Sequence, residues 1–407
     1  MVICACTGFA SGLPLFLLIQ LVPAWLRLEG VSLTTIGFFT AIQYPYTLKF
    51  LWSPVLERYP LPFLGRRRSW MLTTQLALIA AISALGFWRP EDQLATIVVL
   101  SVAIALFSAT QDIALDAYRR EVLPTDEELA LGNAIHVQVY RLAGLIPGSL
   151  GLILAGSMPW EWVFPIMAAF MVVGVVLTLV VNEANAEPEI PGSLREAVVE
   201  PFREFFTRHG ARSALAVLAF MFLYKLGDNM ATALATPFYI DLGFSTVQIG
   251  LIAKNAALWP SIIGGILGGL LIVKIGINRG LWIFGFVQLA TIFGFVVLSR
   301  AGADPWVLAA VISAEYLGVG LGTAASVAYI ARETSRRAVA TQFALFTALA
   351  ALPRVLASSV SGLIVDSIGW TSFFYLCALL AVPGMLLLFW VAPFKAPSGA
   401  AEQSAPR

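Results

Sequence analysis

The sequence predicts an all-α integral membrane protein of twelve transmembrane helices, arranged as two pseudo-symmetric six-helix halves. Three observations predict it. First, hydrophobic residues make up 59% of the 407 residues and charged residues 12%, with a mean hydropathy of +0.85. A soluble domain carries about 25% charged residues, and a core of this size cannot hide so much apolar surface, so lipid is the solvent for most of the chain. Second, twelve runs are long and apolar enough to cross a bilayer. Third, the second half repeats motifs of the first at a nearly constant offset.

A spanning helix needs about 20 mainly apolar residues. The spans, numbered in chain order, are 6–26, 33–56, 70–88, 94–117, 129–156, 160–181, 213–241, 246–273, 280–299, 305–331, 338–366 and 370–392. Runs beyond the minimum are accommodated by tilt, or by kinks at Pro14, Pro45, Pro147, Pro237, Pro260 and Pro353. The chain opens without a basic segment or a small-residue cleavage site, so its first run reads as span 1 rather than a signal peptide. With both termini inside, 17 of the 25 Lys and Arg residues fall in cytoplasmic loops and tail, three in outer loops (Arg27, Arg89, Arg300) and five within spans. This asymmetry predicts cytoplasmic termini. The expected organisation is a first six-helix half at 1–181, a cytoplasmic central loop at 182–212, a second half at 213–393 and a disordered tail at 394–407. The central loop carries six Glu and four Arg, and Leu194 to Thr207 reads as an amphipathic helix on the membrane surface.

The repeat fixes the architecture. Span 2 begins GVSLTTIG at Gly30 and span 8 begins GFSTVQIG at Gly243, an offset of 213 that Arg141 and Arg354 share. The corner after span 5 reads GLILAGSMPW and that after span 11 reads GLIVDSIGW. Duplication of an even, six-helix unit gives parallel repeats, as in the major facilitator fold. The loop from Ser53 to Trp70 resembles the facilitator loop signature of an acid followed by a basic cluster, with Glu57 where Asp is expected; Gly268 to Arg279 is a partial second copy.

Ionisable groups in hydrocarbon are costly and normally face protein or a water-filled cavity. Nine lie in the spans: Lys49, Arg141, Lys225, Lys254 and Arg354, with Asp112, Asp116, Asp228 and Glu315. Spans 3, 6, 9 and 12 carry none away from their ends, which marks them as outer supports. At about 1.5 Å per residue, Arg141, Lys225, Asp228, Glu315 and Arg354 fall near the midplane. Asp112 and Asp116, four apart, share a helix face, as do Lys225 and Asp228. Each acid has two candidate roles: a gate latch paired with a base, or a proton-coupling group whose burial favours its neutral form. Asp116 reads as a latch beside Arg119 and Arg120, Asp112 fits either role, and Asp228 and Glu315 read as cavity groups. Arg141 and Arg354 present forks suited to anions or gate carboxylates. His136 reads as a packed span 5 residue.

Other chemistry is poorly represented. Cys4, Cys6 and Cys377 have neither disulfide nor metal-ligand spacing, so no metal or cofactor is expected. The net charge of +1 and the lack of a basic arm argue against nucleic acid. The Gly-rich stretches Gly264 to Gly269 and Gly318 to Gly322 follow no strand and lack a Lys-Ser/Thr element, so they read as close helix packing. Two histidines and no HExxH motif argue against a membrane-embedded enzyme.

Distributed motifs carry a closer resemblance: GFASGLP at Gly8, PYTLKFLWSP at Pro45, LGRRRSW at Leu64, ATQDIALDAY at Ala109, YRLAGLIPG at Tyr140, LYKLGD at Leu223 and ATQFAL at Ala340. With them the chain resembles the AmpG-type muropeptide permeases of the major facilitator superfamily, which are related to acetyl-CoA transporters. The resemblance implies a multi-pass protein of the bacterial inner membrane, working as a monomer in lipid. It would import N-acetylglucosaminyl-1,6-anhydro-N-acetylmuramyl peptides with protons for peptidoglycan recycling. Some members of that family have additional helices near the C-terminus. The expected substrate contacts are cations from Lys49, Arg141, Lys225 and Arg354, hydrogen bonds from Gln43, Gln111, Gln138 and Asn229, and the rings of Tyr140 and Tyr224. Proton coupling or gating falls to Asp112, Asp116, Asp228, Lys254 and Glu315. The alternative cargo is another anionic amphiphile, acyl-CoA-like or exported.

Overall fold

A computed structural model describes residues 1–49, 52–53, 56, 59, 61–123, 126–183, 203–208, 210–333 and 339–394. Glu57, His209, most of the central loop and nearly all of the tail lie outside the described residues. The described chain is helical: α1 (Val2–Leu28), α2 (Leu33–Phe39) and α3 (Tyr44–Leu48), α4 (Arg66–Leu85), α5 (Pro90–Val122), α6 (Asp126–Ala143) and α7 (Gly151–Ala155), then α8 (Trp160–Val180), α9 (Ala211–Asp241) and α10 (Thr246–Ile275), α11 (Ile277–Ala301), α12 (Pro305–Glu333) and α13 (Val339–Val391). Among the described residues, nine helical stretches are long and apolar enough to cross a membrane. Spans 11 and 12 run together as α13, which turns at Gly369. Large apolar side chains stand exposed along the helices, Val176 and Val180 on α8 and Phe286 and Val297 on α11 among them, as lipid-facing surface requires.

Several helices depart from regularity where the sequence withholds donors. Span 2 is broken: a 3-10 turn, Thr40–Gln43, precedes Pro45. A π turn at Leu17–Leu21 precedes Pro23, and a second at Ile146–Leu150 contains Pro147, because proline cannot continue the ladder. In α9, Leu234 leaves helical geometry just before Pro237. A further break at Lys225, with φ −103° and ψ 3°, has no proline behind it.

The repeated motif has the same local form in both copies. Gly30 and Gly243 take positive φ, 80° and 92°, a conformation glycine adopts without steric cost. Two residues on, Ser32 and Ser245 cap the next helix by accepting from the Thr35 and Gln248 amides, each at 3.2 Å.

Two compact units emerge: Met1–Ile190 with Thr236–Asn255, and Pro191–Ala235 with Ala256–Arg407. In the first, α6 packs along α1. Its extra segment is held by Arg27 Nε donating to Asp241 Oδ1 at 2.5 Å, and by Ser149 donating to the Gly250 carbonyl at 2.6 Å. The basic cluster that opens α4 is engaged: Arg66 and Arg67 clamp Glu121 at 2.6 and 2.8 Å. Glu183 accepts from the Arg67 and Arg68 backbone amides at 2.7 and 3.1 Å, capping the positive end of α4. Arg68 in turn donates to the Thr178 and Leu179 carbonyls at the end of α8. In the second unit, residues 203–207 are the described part of the predicted surface helix, which continues to 208, and Phe205 is fully buried in the core against Phe346.

Candidate functional site

Each unit holds a buried polar cluster that includes span carboxylates. In the first, spans 1, 2, 4 and 5 meet. Lys49, at the end of α3, lies 3.8 Å from Asp112 and 3.5 Å from Asp116, which the α-helical repeat stacks on one face of α5. Asp112 is buried and accepts from Ser11 Oγ of α1 at 2.6 Å. Asp116 also receives Arg119 at 3.1 Å. Arg119 extends the network to α6, donating to Asn133 Oδ1 at 3.0 Å and meeting His136 Nδ1 at 2.7 Å. A guanidinium only donates, so Nδ1 of His136 is the acceptor. Thr7 approaches the same nitrogen at 3.2 Å. The sequence therefore missed His136, Asn133, Thr7 and Ser11 as members of this cluster.

This cluster gives a test of pair energetics. Lys49→Met leaves buried Asp112 without its cation, and breaking one side of a buried pair costs about 3–5 kcal/mol. The variant is expected to melt earlier in detergent, and adding Asp112→Asn is expected to recover most of the loss. Independent, additive effects of the two substitutions would refute the pairing.

In the second unit, the α9 break presents Lys225, whose Nζ lies 2.8 Å from Asp228 Oδ2. Gln288 of α11 donates to the same oxygen at 3.4 Å. Glu315 of α12 is fully buried; Asp228 and the Thr291 hydroxyl are its polar neighbours, with Lys225 within electrostatic reach. Glycines make the room: a side chain at Gly322 would collide with the Gln288 amide, and one at Gly318 would come within 3.2 Å of Thr291 Oγ1.

The remaining candidates are placed apart from these clusters or used locally. Gln111 is fully buried and donates to the Ala10 carbonyl at 2.8 Å, tying α5 to α1. The Gln43 amide turns back to the Thr40 carbonyl at 3.3 Å. The Tyr224 hydroxyl donates to the Leu281 carbonyl at 2.8 Å in the core. Lys254 donates to Thr236 Oγ1 at 2.7 Å. Gln138 is exposed and Asn229 half-buried, while Tyr140 is half-buried with its ring against Phe16 and His136. Among the described residues, the guanidinium of half-buried Arg141 has no hydrogen-bond or ionic partner. Arg354 is exposed and faces Tyr316 electrostatically.

Residues 4–326 match the Major Facilitator Superfamily. A protein of Haemophilus influenzae (strain Rd), itself uncharacterised, is 50% identical over 407 residues, covering 97% of this chain and 95% of its own length. The anhydromuropeptide permease of Escherichia coli K12 is 41% identical over 383 residues, covering 94% of this chain and 77% of that protein. A solved structure of a mutant of the peptide transporter POT aligns with a TM-score of 0.72 at 13% identity, over 97% of this chain and 95% of that one; this similarity concerns the fold. The chain belongs to the Major Facilitator Superfamily and, within it, to the anhydromuropeptide permease (AmpG) family.

Proposed function

We propose that this chain imports anhydromuropeptides from the periplasm to the cytoplasm for peptidoglycan recycling, driven by the proton gradient. The observation that carries this reading is the 41% identity, over 94% of the chain, to the anhydromuropeptide permease of Escherichia coli. The superfamily is one of transporters, so the chain is a permease and not an enzyme. The chemistry is compatible: a muropeptide carries peptide carboxylates, and Arg141 offers an unengaged fork for one of them. Arg354 holds the equivalent position in the repeat.

The finer organisation belongs to the same proposal: twelve spans in two six-helix halves, 1–181 and 213–393, joined by a cytoplasmic loop at 182–212 and followed by a tail at 394–407. The protein works as a monomer in the bacterial inner membrane with both termini in the cytoplasm, as the 17 basic residues of the predicted inner loops and tail support.

The test is uptake of a labelled anhydromuropeptide into vesicles holding the purified protein, with and without an imposed pH gradient, acidic outside. Accumulation that collapses with the gradient is the expected result. Absence of uptake, or competition by acyl-CoA esters alone, would assign the protein another anionic cargo. Gradient-independent accumulation would remove proton coupling.

A further inference from the structure

The cluster around Glu315 holds two buried carboxyls and one ammonium. Among the described residues, both Glu315 oxygens, Asp228 Oδ1 and Gln288 Oε1 are buried with no hydrogen-bond partner, and Lys225 Nζ, ion-paired to Asp228, makes no hydrogen bond either. Glu315 is 0% exposed, Asp228 4% and Gln288 5%. Leaving any such atom unsatisfied costs about 1–3 kcal/mol, and more when it is charged. Four orphaned acceptors around one ammonium call for a further donor or cation. On its other oxygen, Asp228 already has Lys225 Nζ at 2.8 Å and the Gln288 amide at 3.4 Å. Glu315 has no cation of its own. One ammonium and one carboxylate balance, and the second carboxyl is neutral only with a proton on it. That O–H supplies a further donor, with Asp228 offering an acceptor oxygen.

We propose that Glu315 carries the proton of symport, beside Thr291 and with Lys225 and Asp228 as its counter-ion pair. This rests on the transport reading above and names the group that performs its coupling. Around Glu315, α9 contributes Lys225 and Asp228, α11 contributes only the neutral Gln288 and Thr291, α12 itself contributes Tyr316, and α13 contributes Cys377 and, beyond Tyr316, Arg354. When the proton leaves Glu315 for water, two carboxylates share one ammonium. Lys225 stands at the α9 break, where its backbone is outside the helical ladder, and is therefore placed to re-pair between them. The proton state of Glu315 is thereby converted into a position of the α9 break. Gly318 and Gly322 have a stated part in this: they leave the volume that Thr291 and Gln288 occupy.

The experiment compares the parent with Glu315→Gln in proteoliposomes, using a labelled anhydromuropeptide. Glutamine keeps the shape and cannot ionise. A monodisperse gel-filtration profile is required of both proteins. The expected result is a loss of at least about tenfold in accumulation driven by an acidic exterior, while exchange of internal for external substrate stays within about twofold of the parent. Gradient-driven accumulation by Glu315→Gln equal to the parent's overturns the proposal. So does accumulation by the parent that follows an inward sodium gradient and ignores pH, because the orphaned oxygens would then be cation ligands. A readout without substrate separates this from the choice of cargo: infrared difference spectra between neutral and alkaline pH should contain a protonated-carboxyl band in the parent that Glu315→Gln lacks. If the parent transports no anhydromuropeptide, the cargo reading falls and that band alone decides. Its absence from the parent overturns the proposal.

Discussion

Replacing Gly12 with valine is expected to remove most of the folded protein. GFASG at the start of the sequence places Gly8 and Gly12 four apart on α1, the small-residue spacing that lets two helix backbones approach closely in a membrane. The partner is α6. A Cβ at Gly8 would lie 3.0 Å from His136 Cα and closer still to the His136 carbonyl oxygen; one at Gly12 would lie 3.2 Å from Tyr140 Cα and closer to the Tyr140 oxygen. His136 and Tyr140 are also four apart, so the two ridges run in register. The obstacle at each position is backbone, which cannot rotate away as a side chain can. Overpacking costs about 1–3 kcal/mol where side chains can yield, so the upper end or more is expected here, against a total stability of roughly 5–15 kcal/mol. Gly12→Val should give little monodisperse protein in detergent and a lower melting temperature in what remains. The control is Gly265→Val: a Cβ there meets nothing within 4 Å, and the variant should match the parent. Equal behaviour of the two variants would refute the close α1–α6 packing.

The contrast between those glycines marks what the sequence made legible. The all-helical, membrane-spanning character was readable because its cause is local: lipid demands long apolar runs. The shared face of Asp112 and Asp116 was likewise local. Their partners were not. Lys49 reaches them from α3, Ser11 from α1, and Arg119 links them to His136, through contacts that only tertiary packing creates. Glu183 caps α4 from 116 positions away, which no window along the chain reveals. Span 9 was marked as an outer support because it lacks charge, yet Gln288 points inward from it and is 5% exposed. A lone amide in the run FVQLATIF was the available signal, and a search confined to charges passed over it. The break at Lys225 has no proline or glycine at the break itself to announce it. Two residues on, a Cβ at Gly227 would press on the Cys377 carbonyl, a close approach that only tertiary packing creates.

Arg141→Ala is expected to remove high-affinity uptake while leaving the protein folded. A guanidinium in a membrane span is expensive and persists where it meets water, a partner or a ligand. Arg141 is half-buried on α6 and makes no hydrogen bond or ion pair among the described residues. Its removal therefore strands no internal carboxylate and should change the melting temperature little. Loss of a charge-assisted pair with a substrate carboxylate costs about 1.5–3 kcal/mol, a rise in KM on the order of 10- to 100-fold. Arg141→Lys keeps the charge without the planar fork and should recover part of the affinity. Lys225→Ala is the instructive opposite. It strands Asp228, buried at 4% exposure and now without its ammonium, so it should lose stability by about 3–5 kcal/mol together with transport. Uptake and melting curves on the same preparations separate the two classes. Wild-type KM in Arg141→Ala would exclude this guanidinium from substrate recognition. A large fall in its melting temperature would mean that Arg141 serves the fold instead.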